Sequence, residues 1–192
     1  MEQKPFFAFS RLLQNDAHIH KFDPKMWNDL TYFDVLTGSK PTFDVDIKKL
    51  RQKFLRLQQV AHPDTFAKAS DTEKGLADVL SSWINKGYST LRNPLSRAKY
   101  LLKLEGHEIT EAQKLNDPTL IMEVLEQREE VESCKSEEQL EAIRKYNSEK
   151  INETLDQLSK AFNDKDYQQA HDLTIQLQYW DNIQEAINNW SG

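Results

Sequence analysis

Residues 46–92, DIKKLRQKFLRLQQVAHPDTFAKASDTEKGLADVLSSWINKGYSTLR, decide how the rest of the chain is read. At their centre, His62-Pro63-Asp64 separates two amphipathic patterns. Pro63 removes a backbone donor and biases His62 away from helical dihedrals, so the chain is punctuated there. Over 46–61, Ile47, Leu50, Phe54, Leu57 and Ala61 recur at helical spacing and form one stripe, the expected core side. Over about 72–92, Leu76, Val79, Leu80, Trp83, Ile84, Tyr88 and Leu91 form a complementary stripe. Two such helices joined by a loop of about ten residues are expected to lie antiparallel. The tripeptide alone fits two readings equally: an ordinary corner with a turn imidazole and a capping carboxylate, or a displayed functional loop.

The flanks separate those readings. The first helix carries Lys48, Lys49, Arg51, Lys53 and Arg56, with Asp46 as its one acid. Lys49, Lys53 and Arg56 stand at i, i+4 and i+7, on a stripe about 120° from the apolar one. Like charges at i and i+4 cost isolated helix stability. A solvated face normally intersperses acids, so a docking face for an acidic partner is the better explanation. Before the hairpin, Tyr32-Phe33-Asp34-Val35-Leu36 reads as one or two helical turns packing aromatics onto the downstream helices, ended by Gly38 and Pro41. After it, Asn93-Pro94 closes one helix and opens another over 95–104, which stops at Gly106. Gly87 lies inside the apolar stripe, at about 1 kcal/mol of helix propensity, which a close helix–helix crossing would explain.

Together these residues resemble a J-domain. Tyr32-Phe33-Asp34-Val35-Leu36, the basic helix, His62-Pro63-Asp64, Ile84-Asn85-Lys86-Gly87-Tyr88 and Leu91-Arg92-Asn93-Pro94-Leu95 occur in that family's order and spacing. Gly87 replaces its usual alanine, a change expected to loosen the hairpin. The resemblance implies stimulation of ATP hydrolysis by a DnaK-type (heat-shock-70) chaperone. Lys49, Lys53 and Arg56 would dock on the chaperone's acidic surface, and His62, Pro63 and Asp64 would engage the region that gates hydrolysis.

The 192 residues suffice for one large or two small domains. Five glycines and six prolines beside 29% charged residues suit an all-α protein. The net charge of −6 is divided unequally: residues 1–116 hold 18 Lys and Arg against 14 Asp and Glu, residues 117–192 hold 7 against 17. Such a split marks two modules with different surfaces. In the acidic module, Asn116-Asp117-Pro118 starts a helix bearing Leu120, Ile121, Met122, Val124, Leu125, Arg128 and Val131. Its apolar residues span about 200°, more than one packing face uses. Pattern alone leaves open whether Ile121, Met122 and Leu125 are core or an exposed patch beside Glu126, Glu129 and Glu130. Two more helices complete the module. One spans about 137–162, with Leu140, Ile143, Ile151, Leu155, Leu158 and Phe162 on its stripe. The other spans 167–190, with Ala170, Leu173, Leu177, Trp180, Ile183, Ile187 and Trp190. They predict an antiparallel three-helix bundle, with Tyr179 off the stripe and on the surface.

A J-domain followed by such a bundle resembles the HscB family of iron–sulfur co-chaperones. The residues 91–102 are similar to its J-domain exit and 122–130 to its recognition helix, while 163–167 and 177–180 are similar to fungal mitochondrial members. The resemblance implies an L-shaped, two-module protein: residues 1–30 an extension or targeting segment, 31–105 the J-domain, 106–116 a linker, and 117–192 the bundle. It implies that the bundle binds an IscU-type iron–sulfur scaffold through Leu120, Ile121, Met122, Leu125, Glu126, Glu129, Glu130 and Tyr179. The scaffold would be handed to the chaperone in the mitochondrial matrix, by a protein that is a monomer or weak dimer. A J-protein for another client, or a dimerising adaptor, is the alternative.

No enzymatic site is expected. Glu126, Glu129 and Glu130 lack an accompanying Glu-x-x-His, which disfavours a di-iron bundle. The single cysteine, Cys134, sits on an acidic stretch that disfavours a nucleophile, and excludes a disulfide framework or a tetracysteine metal module. His18 and His20 form an isolated pair read as solvated, and no Gly-rich phosphate loop occurs. Neither metal nor other cofactor is expected. The basic excess is too small to favour nucleic acid, and no run approaches the length of a membrane span. Phe6-Phe7-Ala8-Phe9 with Arg11 fits the start of a mitochondrial presequence, although Glu2 and Asp16 argue against a strong one.

Overall fold

The structure, a computed structural model, describes residues 30–61, 71–110 and 117–191, which carry seven α-helices and no strand. His62-Pro63-Asp64, the His18/His20 pair and the N-terminal aromatic segment lie outside the described residues. The chain divides into two compact units, Met1–Ser96 and Arg97–Gly192.

In the first unit, α1 (Tyr32–Leu36) is only five residues long and is fixed by reciprocal capping. The Asp34 amide donates to Thr31 Oγ1 at 3.2 Å, and the Thr31 amide donates to Asp34 Oδ2 at 2.8 Å. Phe33, Val35 and Leu36 are buried, and Tyr32 meets the Trp83 ring edge-on at 4.9 Å. The α2 helix (Ile47–Ala61) begins after Asp46, whose carboxylate accepts from the Lys48 and Lys49 amides at 3.0 and 3.1 Å. Those amides, Lys49's above all, hold the Asp46 carboxyl below the ordinary carboxylate range. α3 (Asp71–Arg92) packs on α2. Phe54 stacks on Tyr88 at 4.0 Å, while Gln58 donates to Asn85 Oδ1 at 2.9 Å and accepts from Ser81 at 3.2 Å. These pairings run in opposite directions along the two helices, which makes the pair antiparallel, as expected.

Leu50, Leu57, Ala61, Ala77, Leu80, Ile84 and Leu91 are buried. Full burial of one such leucine or isoleucine contributes roughly 1.5–3 kcal/mol. Two residues assigned to the stripes are not core: Ile47 is 40% and Val79 63% exposed. Ile47 is the first residue of its helix, and Val79 projects about 100° round α3 from Leu80. Gly87 does permit a close crossing, but with α1. A Cβ there would stand 2.7 Å from Tyr32 Cδ1 and 2.9 Å from Leu36 Cδ1. The hairpin is therefore not what the glycine loosens; it makes room for the capped turn before it.

α4 (Pro94–Leu104) contains the division between units. The resemblance put the boundary at the J-domain's end, residue 105. Contacts put it at Ser96, because Arg97, Ala98, Leu101 and Leu102 are buried and Lys99 donates to Gln178 at 2.8 Å. The helix ends at Gly106, whose φ of 80° lets His107 donate back to the Leu102 carbonyl at 2.7 Å. The rest of the second unit is α5 (Pro118–Ser133), α6 (Glu137–Asn163) and α7 (Tyr167–Asn188), capped by Asp117, Ser136 and Asp166. α6 and α7 pack most extensively, and α5 lies against both. Their shared core is Val124, Val131, Leu140, Ile143, Trp180, Ile183 and Ile187.

The α6 stripe differs from expectation. Its buried residues are Leu140, Ile143, Asn147, Thr154, Leu158 and Ala161, while Leu155 and Phe162 are half-buried. Two polar side chains enter because they find partners. Asn147 donates to the Trp180 carbonyl and to Gln184, both at 3.3 Å, and Thr154 donates to the Lys150 carbonyl at 2.8 Å. Trp190 lies just beyond α7, half-buried, with its indole N–H on the Cys134 carbonyl at 3.4 Å.

Candidate functional site

Two faces, one in each unit, carry the residues singled out by sequence. On α2, burying Leu50 and Leu57 leaves Lys49, Lys53 and Arg56 along one flank of the helix. Lys49 and Arg56 are exposed and Lys53 half-exposed. Lys49 pairs with Asp46 at 3.4 Å, an ion pair open enough to exchange readily for a partner's carboxylate. Lys48 and Arg51 are also exposed. Between them on the helix surface stands Leu55, 49% exposed, which sequence reading passed over. The signal was available: Leu55 lies about 130° from the centre of the buried stripe.

On α5 the structure decides what periodicity left open. Val124, Gln127 and Val131 are buried, with Leu120 packed partly against the same core. Ile121 is 37%, Leu125 49% and Met122 59% exposed, centred about 140° from that stripe. Glu126 and Glu129 are exposed around them. Glu130 is exposed too, but turns toward the α6 side, where its carboxylate accepts from Gln127 Nε2 at 3.1 Å. It lines a cleft with Ser133, Cys134, Gln139, Ala142 and Ile143. Tyr179 was expected on the surface. It is half-buried against the bundle core, as Leu120 is, because α7 is covered on more than one side. Thus Ile121, Met122 and Leu125 form the exposed centre, Leu120 and Tyr179 belong partly to the core beneath, and Glu126 and Glu129 supply the charge.

An apolar centre with an acidic rim suits a protein partner that brings apolar side chains and cations. Neither face offers a nucleophile–base pair among the described residues. Among the described residues, no group of three or more His, Cys, Asp or Glu side chains could hold a metal ion, and no helix is long and apolar enough to cross a membrane.

One polar cluster escaped sequence reading. Glu123, next to Met122, accepts from Lys150 Nζ at 2.5 Å and from the Tyr146 hydroxyl, both on α6. Burial pushes the Glu123 carboxyl up, but the bonds from Lys150 and Tyr146 outweigh it and hold it below its usual range. The same bonds, Glu123's first, raise both partners, Tyr146 and Lys150. Residues 23 and 27 positions apart leave no local signature, and only the fold reveals the pairing.

A family model described as the HSCB C-terminal oligomerisation domain matches residues 116–188. The chain is 36% identical over 157 residues to the iron–sulfur cluster co-chaperone protein HscB of Mus musculus, covering 81% of this chain and 67% of that protein. It is 34% identical over 157 residues to the mitochondrial J-type co-chaperone Jac1 of Saccharomyces cerevisiae, covering 79% and 81%. The crystal structure of human co-chaperone protein HscB matches with a TM-score of 0.81 at 34% identity, over 87% of this chain and 83% of that one.

Proposed function

The chain belongs to the HscB family of iron–sulfur cluster co-chaperones, and from that premise we propose that it delivers an iron–sulfur scaffold to a heat-shock-70 chaperone and stimulates that chaperone's ATPase. The observation that carries the reading is the exposed trio Ile121, Met122 and Leu125 beside Glu126 and Glu129, in a helix whose core contacts are made by other residues. Soluble monomers seldom leave such patches without a use. In this reading Ile121, Met122 and Leu125 insert into an apolar surface of an IscU-type scaffold. Leu120 and Tyr179 support the patch from below, and Glu126, Glu129 and, more peripherally, Glu130 attract cations at its rim.

The basic face works on the other partner. Lys49, Lys53 and Arg56 draw in the chaperone's acidic surface, and His62, Pro63 and Asp64 bias it toward hydrolysis. The protein contributes contacts and no bond chemistry, so the hydrolytic machinery belongs to the chaperone. The mitochondrial matrix is the compartment this reading expects, supported by the name of the yeast relative.

Single-turnover ATP hydrolysis by the chaperone, with and without scaffold, tests the proposal. The chain should accelerate hydrolysis, and scaffold should accelerate it further. A flat rate in both conditions overturns it. A second reading, in which the bundle self-associates, is favoured by the family model's description. Sedimentation of the wild type beside an Ile121/Leu125 alanine variant separates the two: self-association predicts a mass change, whereas scaffold docking predicts none.

A further inference from the structure

Glu123 is acidic and adjacent to the docking patch, which makes it look like part of the rim. Its surroundings say otherwise. The carboxylate is only 26% exposed and is occupied by Lys150, itself 28% exposed, and by the Tyr146 hydroxyl. The Lys150 ammonium also lies 5.4 Å from the Tyr146 ring centroid, so the three side chains close on one another. On α5, Glu123 falls about 100° round the helix from Met122, toward the core and on the flank that meets α6.

The first half of α5 needs such a tie. With Ile121, Met122 and Leu125 turned outward, its apolar hold on the bundle comes from Val124 and the half-buried Leu120. The next inward position is Gln127, a polar side chain. The far end is better secured, by buried Val131 and by the Trp190 bond to the Cys134 carbonyl. A partly desolvated, charge-assisted pair with a second hydrogen bond is stronger and more directional than a surface ion pair.

We propose that Glu123, clamped by Lys150 and Tyr146, is a positioning residue that fixes the first half of α5 and so sets how Ile121, Met122 and Leu125 are presented to the partner. This rests on the reading of that patch as the scaffold-binding surface. Glu123 touches no partner; it acts through the helix that bears those three residues. Uncoupling it leaves the patch chemically intact but loosely held, which a partner feels as an ordering cost on binding.

The test uses the full chain with Glu123→Gln, Lys150→Met and the reversed pair Glu123→Lys with Lys150→Glu. Hydrogen exchange over residues 117–126 and calorimetric affinity for an iron–sulfur scaffold are read side by side, with the thermal midpoint as control. Each single variant should speed exchange in that segment about tenfold and weaken affinity by a similar factor, while the bundle still melts cooperatively. The reversed pair should recover both. Unchanged exchange in Glu123→Gln overturns the proposal. So does an affinity loss that the reversed pair restores in exchange but not in binding, since that pattern makes Glu123 a direct contact. Absence of scaffold binding by the wild type defeats the docking reading instead, and exchange alone then decides whether the clamp exists.

Discussion

The helices α2 and α5 are nearly equal in length, at 15 and 16 residues, and both are amphipathic, yet they use their apolar residues in opposite ways. Most of α2's apolar stripe goes into the core, and it shows a partner mainly cations. α5 keeps a narrow stripe for the core and shows a partner its larger apolar side chains, rimmed by acids. Each face therefore draws its specificity from a different source. A charged face on a fully anchored helix steers and orients a partner, with strong dependence on salt. An apolar face on a sparsely anchored helix gains affinity from desolvation and depends on being held in place.

The two faces should be separable by substitution. His62→Gln should abolish stimulation of chaperone ATP hydrolysis in a single-turnover assay while leaving scaffold affinity within about twofold. The triple variant Ile121→Ala, Leu125→Ala, Tyr179→Ala should do the reverse, weakening scaffold binding by about 100-fold or more, the loss expected when central contacts are truncated. Basal stimulation by the J-unit should survive in that variant. If either change disables both activities with the fold intact, the faces are not separate devices.

Stability gives the next contrast. Leu57, on α2, is 2% exposed, and truncation to alanine should cost about 2–5 kcal/mol in a denaturant titration. Leu125, on α5, is 49% exposed, and the same truncation should cost under about 1 kcal/mol. A large cost at Leu125 would mean that the patch is core, and the docking surface would have to be sought elsewhere.

How far the sequence reveals this contrast depends on what periodicity can see. Leu50, Phe54, Leu57 and Ala61 were legible because apolar spacing and burial coincide through most of α2. Over α5 the apolar residues outnumber the core positions, and the buried Gln127 substitutes for one, so spacing could not choose a face. Asn147 was invisible because its bond to the Trp180 carbonyl forms only in the folded bundle, and Thr154 because a polar type hides a hydroxyl that its own helix satisfies at the Lys150 carbonyl. Gly87 announced a close approach without naming the partner. There, alanine gains about 1 kcal/mol of helix propensity but places a Cβ against the Tyr32 ring, itself braced by Trp83. Overpacking costs about 1–3 kcal/mol, so Gly87→Ala should destabilise the first unit by about 1 kcal/mol net, readable as a lower thermal midpoint. A stabilised variant would show that α1 yields easily.

The smallest expected effect separates two neighbouring acids on α5. Glu129 follows Leu125 by one turn and stands within about 40° of it, on the outward face. Glu130 stands about 140° from Leu125 and already accepts a hydrogen bond from Gln127. A cation brought by the scaffold to the apolar patch therefore meets Glu129 first, while Glu130 faces the Cys134 cleft. Glu129→Gln should weaken scaffold affinity about three- to fivefold at low salt, chiefly through slower association, as for other rim charges. Glu130→Gln should change it by less than about twofold, and both effects should shrink as salt rises. Equal losses from the two substitutions would mean that the partner wraps round α5 toward α6, and the acidic rim would then be wider than the outward face alone.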